Sequence, residues 1–134
     1  MSSLAIISAN RGYSVIGSDA GCNSEALSEL SDYGIKVYPS HSEKNIEGCG
    51  ALIYTAAVSP DNPELLKARQ LGMPIYSRAE YLGKILSGYP QRIGISGTHG
   101  KSTVCGMTSK IFAGCGNDCT SLIGARTVTD GKAY

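Results

Sequence analysis

The sequence predicts an α/β fold, and two observations support this prediction. Short apolar runs alternate with segments that have helical spacing and helix-ending residues. A further apolar run, at residues 92–95, predicts a strand that leads directly into a glycine-rich turn and then into a helix. The residues expected on the buried face of that helix are Val104, Met107, Thr108, Ile111, Phe112 and Cys115. Because strands that alternate with helices usually lie in parallel sheets, we expect a mainly parallel sheet flanked by helices.

Local signals place the ends of these elements. Asparagine and serine cap helix starts, proline fits the first helical turn, and glycine ends helices because it adopts positive φ. The predicted order begins with a helix at 2–11 closed by Gly12, a strand at 13–17, a helix from Asn23 to Tyr33 closed by Gly34, and a strand at 35–38. A polar loop at 40–45 and a strand at 51–55 follow. The last elements of this series are a helix from Asn62 and Pro63 to Gly72, a strand at 74–76, and a helix opened by a Ser77–Glu80 capping box. The side chains expected to face inward from the second and fourth helices are Leu27, Leu30, Tyr81, Leu82, Ile85 and Leu86.

A break at Gly88-Tyr89-Pro90 is the one credible linker. It predicts a first domain over 1–88 and a second over 89–134. The second strand-helix alternation begins after the linker but has little to pack against beyond residue 115, so we expect this domain to be incomplete. The first domain lacks the strand and glycine loop that normally open a βαβ series, so we expect two unpaired strand edges in it.

Composition excludes several classes of protein. With 134 residues, 42% of them hydrophobic, the chain can form a core, and its net charge of +1 without charge runs gives no reason to expect nucleic acid or an anionic membrane as partner. Five cysteines without a C-x-x-C pair favour reduced thiols in the cytoplasm, and a zinc site at Cys105, Cys115 and Cys119 fits no usual ligand spacing. No signal peptide or membrane-spanning run is visible, so a cytoplasmic location is expected.

The segment 92–103 carries the strongest functional signal. Gly97 and Gly100 let backbone N–H groups surround a phosphate chain, and the start of the next helix adds its positive dipole end. Lys101 supplies a charge for the outer phosphates, and the Ser102 hydroxyl suits Mg²⁺. Thr98 and Thr103 are candidates for supporting hydrogen bonds. The segment therefore predicts a nucleotide-binding P-loop, in a form shorter than the general spacing.

This short form, Gly97-Thr98-His99-Gly100-Lys101-Ser102, resembles the ATP loop of the Mur ligase family, and His99 resembles the branch that acts on UDP-N-acetylmuramate. Other stretches line up with the same family in order and spacing. They are residues 17–19, 41–46, 62–64, 74–75 and 78–82.

The resemblance implies a Rossmann-like UDP-sugar domain without its first strand, followed by the start of a P-loop ATPase domain. It implies ATP-dependent amide formation in peptidoglycan synthesis: the carboxylate of UDP-N-acetylmuramate becomes an acyl phosphate, which L-alanine then attacks. ATP and Mg²⁺ are the implied cofactors, with Lys101 and Ser102 as catalytic residues and residues 97–103 around the nucleotide. Because the acidic magnesium ligand and a third domain are absent, we expect no turnover from this chain alone.

Residues before the linker are the candidates for the UDP-sugar. Ser18 and Asp19 end a strand at the point where dinucleotide folds hold a ribose hydroxyl. His41 and Arg78 are implied by the resemblance, and Thr55 stands at the end of another strand, among small residues that leave room for a ligand. Three of these residues, and His99, also have a structural alternative. Asp19 suits a turn cap, Arg78 suits a helix start on a solvated face, and both histidines, His41 and His99, suit solvated loops.

Two other functions compete with this one. A related ligase attaches a recycled murein peptide to the same sugar and has a similar loop, and the pocket that distinguishes the two enzymes is absent. A non-catalytic nucleotide-binding or UDP-sugar-binding module is the alternative from another class. A regulatory GTPase is disfavoured, because no base-selective motif is present.

Overall fold

The computed structural model describes residues 1–21, 24–117 and 119–123. The chain divides into two compact units, Met1–Pro90 and a second that begins at Gln91. The elements of the first unit are α1 (Ser2–Asn10), β1 (Ile16–Ser18), α2 (Ser24–Asp32), β2 (Lys36–Tyr38), a 3₁₀ turn (Glu43–Ile46), β3 (Leu52–Tyr54), α3 (Pro63–Gln70), β4 (Ile75–Ser77) and α4 (Arg78–Ser87). The second unit contributes α5 (Lys101–Gly114). The α/β alternation predicted from the sequence is therefore present.

The strands of the first unit form two small parallel sheets. β1 pairs with β2, with Ser18 opposite Tyr38 at the carboxyl end. β3 pairs with β4, with Tyr54 opposite Ser77 at the corresponding end. In the described part of the chain each strand is thus paired along one edge, and its side chains are half-buried or exposed.

The core of the first unit comes mostly from helices and from residues next to the strands. Its fully buried apolar side chains are Leu4, Ile6, Ile7, Leu30, Ile35, Ile46, Leu65, Ala68 and Ile85. Ser8 of α1 and Arg11, directly after that helix, also make polar contacts with α4 and the residues that follow it. Ser8 Oγ lies 2.9 Å from the Tyr81 hydroxyl, and Arg11 donates to the Ile85 carbonyl at 3.2 Å while its guanidinium stacks 4.7 Å from the centre of the Tyr89 ring.

Most predicted helix ends are confirmed. Asn62 accepts hydrogen bonds from the N–H groups of Glu64 and Leu65, and Pro63 occupies the first turn of α3. Gly34 follows α2 with φ 70°, a left-handed conformation that a side chain would strain. The Ser77–Glu80 capping box is present at the start of α4. The predicted cap Asn23 lies outside the described residues.

Several predictions about strands and loops were wrong in extent. The first strand begins at Ile16 rather than at residue 13, and the predicted polar loop 40–45 contains most of a 3₁₀ turn. Residues 92–95 form no strand, and Ile93 is 63% exposed. A strand needs a neighbour for its N–H and C=O groups, and the described part of the second unit offers none.

Some side chains predicted to face inward are exposed. In the first unit these are Leu27, which is 38% exposed, and Leu86, which is 40% exposed. In the second unit Val104, Met107 and Ile111 of α5 are exposed, although their helical spacing predicted a buried face. An apolar helical face is buried only where another layer covers it, and no described element of this unit does so.

None of the helices in the described ranges has both the length and the apolar character that a membrane crossing requires.

The capping box at α4 leads to a stability prediction. Ser77 Oγ accepts the Glu80 N–H at 3.3 Å, so Ser77→Ala leaves a helix-end donor without its partner. We expect the free energy of unfolding, measured with urea on the 134-residue chain, to fall by about 1 kcal/mol. Ser14→Ala, at an exposed loop serine, is the matched control. An equal loss in both variants would contradict the assignment.

The same box predicts a pH dependence. The Ser77 backbone N–H, and secondarily its hydroxyl, lower the pKa of the Glu80 carboxyl. Because the pKa is lowered in the folded state, this stabilisation is present above the unfolded pKa and is lost as pH falls through the folded one. A ¹³C NMR titration should place the Glu80 midpoint below the usual glutamate range. Ser77→Ala should retain most of the shift, since it keeps the backbone donor; a midpoint in the usual range would disprove this.

Candidate functional site

The glycine loop is the segment from Gly97 to Gly100, directly before α5. Gly100 is the N-cap of that helix with φ 77°, and its carbonyl accepts the Val104 N–H at 2.9 Å. Positive φ at this position is unfavourable for residues with a side chain, so a glycine is required. The helix starts at Lys101, as the sequence predicted. Its first N–H groups are therefore directed towards the loop.

Lys101 is bound to the loop that precedes it. Its ammonium donates to the Gly97 carbonyl at 2.6 Å and to the Thr98 carbonyl at 3.2 Å. An ammonium has three hydrogens, so these bonds leave one for another acceptor. The Lys101 ammonium thus places one positive charge beside the glycine loop, where it can interact with an anion.

The remaining polar side chains of this segment are exposed: Thr98, His99, Ser102 and Thr103. They lie on the loop or in the first turn of α5 and are open to a ligand. In the described ranges no group of three or more His, Cys, Asp or Glu residues is arranged to hold a metal ion. Cys105, Cys115 and Cys119 are free thiols, and so is Cys49.

A second polar site lies at the carboxyl end of β1. Ser18 Oγ donates to Glu64 Oε2 at 2.6 Å and lies 2.9 Å from His41 Nδ1. His41 Nδ1 is itself 3.6 Å from Glu64 Oε2. The structure therefore brings together Ser18 and His41, which sequence analysis had proposed independently.

Glu64 is the buried centre of this site, 7% exposed. Besides the Ser18 hydroxyl, its carboxylate accepts hydrogen bonds from Asn45 Nδ2 at 2.7 Å and the Ser42 N–H at 3.3 Å. It also stands in the first turn of α3, where the helix dipole favours negative charge. These donors offset the cost of burying a carboxylate.

The charge of Glu64 also affects a neighbouring thiol. Burial raises the pKa of Cys49, and the nearby Glu64 carboxylate raises it further. The thiol lies 3.9 Å from the Asn45 carbonyl, to which it donates. A raised pKa keeps the thiol protonated, so Cys49 is a poor nucleophile.

The other substrate candidates lie at strand ends but outside this hydrogen-bond network. Asp19 Oδ1 accepts the Gly21 N–H at 2.8 Å, which is the turn-capping role that the sequence left open. Thr55 directly follows β3 and is half-buried, with its carbonyl accepting from Val58. Arg78 directly follows β4 and is exposed. Tyr54 and Ser77 lie opposite each other in these parallel strands, so Thr55 and Arg78 both follow the same end of this strand pair.

The roles of Glu64 and Asn45 were not predicted from the sequence. Glu64 was placed in a first helical turn, and both residues fell within stretches that resemble the family, 62–64 and 41–46, but neither was given a function. The partners of Glu64, Ser18 and His41, are distant in sequence, so no local pattern joins them to it.

Comparisons with known proteins show which family the chain resembles. The model of the Mur ligase family, catalytic domain, matches residues 1–90. The UDP-N-acetylmuramate–L-alanine ligase of Acetivibrio thermocellus is 48% identical over 124 residues, covering 92% of this chain and 26% of that protein. The same ligase of Clostridium perfringens is 40% identical over 124 residues, covering 92% and 27%. The chain spans about a quarter of the length of these relatives.

A solved structure agrees in fold. The crystal structure of UDP-N-acetylmuramate-alanine ligase from Thermotoga maritima matches with a TM-score of 0.84 and 30% identity, covering 92% of this chain and 29% of that one. This chain is thus similar in fold to part of that ligase. The chain belongs to the Mur ligase family.

Proposed function

We propose that this chain is part of an ATP-dependent ligase that joins L-alanine to UDP-N-acetylmuramate in peptidoglycan synthesis. The observation that carries the proposal is the identity of 48% and 40% to relatives that bear this name. The first unit would be the Rossmann-like UDP-sugar domain, over about residues 1–88, and the second the start of the P-loop ATPase domain, over 89–134.

The glycine loop is proposed to hold ATP. The left-handed Gly100, the start of α5 and the Lys101 ammonium offer N–H donors and positive charge at one place, which suits a triphosphate. Bound ATP would supply the phosphoryl group that activates the sugar carboxylate. Lys101 and the loop N–H groups would stabilise negative charge on the terminal phosphate, with Thr98, His99 and Thr103 around the nucleotide.

Ser102 is the candidate for magnesium. Its hydroxyl is exposed in the first turn of α5, next to Lys101, and hydroxyl oxygen suits a hard cation that keeps part of its water shell. Magnesium would neutralise phosphate charge, while Ser102 would orient it. This fit supports MgATP as the nucleotide form.

The strand ends of the first unit are proposed to hold the UDP-sugar. Ser18 and His41 form a hydrogen-bonded pair at the end of β1, and Asp19 follows directly. Thr55 and the unburied Arg78 stand at the ends of the other pair of strands. In open α/β sheets ligands bind outside the carboxyl ends of the strands, so the placement suits a nucleotide sugar.

Lys101→Ala tests the nucleotide site. Removing a charged donor from phosphate costs about 1.5–3 kcal/mol, so we expect at least a tenfold weaker Kd for MgATP by calorimetry. Lys110→Ala changes an exposed lysine of the same helix and should leave the Kd unaltered. Equal binding by the Lys101→Ala variant and the unmodified chain would refute the nucleotide site.

Arg78→Ala tests the sugar site separately. If Arg78 binds the diphosphate, its loss should weaken UDP-N-acetylmuramate binding about tenfold, with MgATP affinity unaffected. Lys101→Ala should give the opposite pattern when the same two ligands are titrated. Arg69→Ala, at an exposed arginine of α3, is the matched control. An unchanged UDP-N-acetylmuramate Kd in Arg78→Ala would remove Arg78 from the site.

A further inference from the structure

The tautomer of His41 is set by which groups donate hydrogen bonds and which accept them at the carboxyl end of β1. Ser18 has a single hydroxyl hydrogen, and it donates that hydrogen to Glu64 Oε2 at 2.6 Å. The 2.9 Å contact between Ser18 Oγ and His41 Nδ1 then needs its hydrogen from the imidazole. In the neutral ring, therefore, Nδ1 carries the proton and Nε2 carries the lone pair.

Electrostatics favour the same tautomer. His41 Nδ1 lies 3.6 Å from the Glu64 carboxylate, so a proton on Nδ1 is attracted to that charge. Glu64 in turn is held by Asn45, Ser42 and the start of α3, and its side chain is 9% exposed. A buried and fully bonded carboxylate has little freedom to reorient.

The other side of the imidazole is open to a ligand. The side chain of His41 is 33% exposed, and its hydrogen bonds in the described part of the chain are made through Nδ1. The Nε2 lone pair can accept a hydrogen bond but cannot donate one while the ring is neutral.

We propose that Glu64 is a positioning residue which, through Ser18, holds His41 in the Nδ1–H tautomer, so that Nε2 accepts a hydrogen bond from a hydroxyl or N–H group of the nucleotide sugar. The inference rests on the proposed function for the identity of that ligand. It assigns His41 to a donor group of the ligand rather than to its phosphate oxygens, which have no hydrogen to give.

The tautomer can be measured without any ligand. With ¹⁵N-labelled histidine, ring-nitrogen shifts at mildly alkaline pH distinguish the two neutral forms, and a His99→Gln background leaves His41 as the single histidine. We expect the Nδ1–H form. An Nε2–H form in the otherwise unmodified chain would overturn the inference without any further variant.

Glu64→Gln tests whether Glu64 determines the tautomer of His41. A glutamine amide can donate to Ser18 Oγ and so release the serine hydrogen towards Nδ1, which should convert His41 to the Nε2–H form. Glu43→Gln is the matched control, because Glu43 belongs to the same region but pairs with Lys67. Retention of the Nδ1–H form in a folded Glu64→Gln chain would overturn the inference.

Calorimetry with UDP-N-acetylmuramate separates this inference from the proposed function. Glu64→Gln should weaken binding about tenfold, while Glu43→Gln should not. A loss of affinity seen with UDP as well would place the donor group in the nucleotide half of the ligand, and a loss seen only with the complete ligand would place it in the sugar half.

If the unmodified chain has the expected tautomer but binds no nucleotide sugar, the proposed function fails and the tautomer assignment stands. Unchanged affinity in Glu64→Gln would overturn the positioning role.

Discussion

The arrangement of the first unit depends on one buried carboxylate. Glu64 accepts hydrogen bonds from Ser18 at the end of β1 and from Ser42 and Asn45 in the segment after β2, while its own backbone lies in the first turn of α3. The two small sheets are not paired with each other by backbone hydrogen bonds in the described residues. Side-chain contacts therefore link the two sheets. A buried Glu64 carboxylate without its hydrogen-bond donors would destabilise the folded state by more free energy than any single surface contact contributes.

The glycine loop, unlike the Glu64 network, is held by contacts between residues close together in the sequence. Lys101 bonds to Gly97 and Thr98, residues only three and four positions away, and Gly100 caps the helix that Lys101 begins. These are local interactions, so the loop can hold its shape through its own backbone and one side chain. A glycine loop of this kind needs less support from the rest of the fold than the Glu64 network does.

The two sites also differ in what they can bind. The glycine loop presents positive charge and N–H donors and so suits an anion, whereas the Ser18–His41 pair presents a hydroxyl and an imidazole beside a buried negative charge. A phosphate would be repelled near Glu64, while a hydroxyl or N–H would not. The family match covers residues 1–90 and so includes the Ser18–His41 pair, while the glycine loop lies beyond it.

The sequence by itself determined the α/β alternation, the glycine loop and the helix ends at Gly34, Asn62 and Ser77, because capping and positive φ depend on residues a few positions apart. It did not determine which apolar residues are buried: the strand predicted at residues 92–95 and the inward face of α5 both require neighbouring layers. Only the tertiary structure brought Glu64 to Ser18 and His41, because a hydrogen bond between residues 46 positions apart leaves no local pattern in the chain.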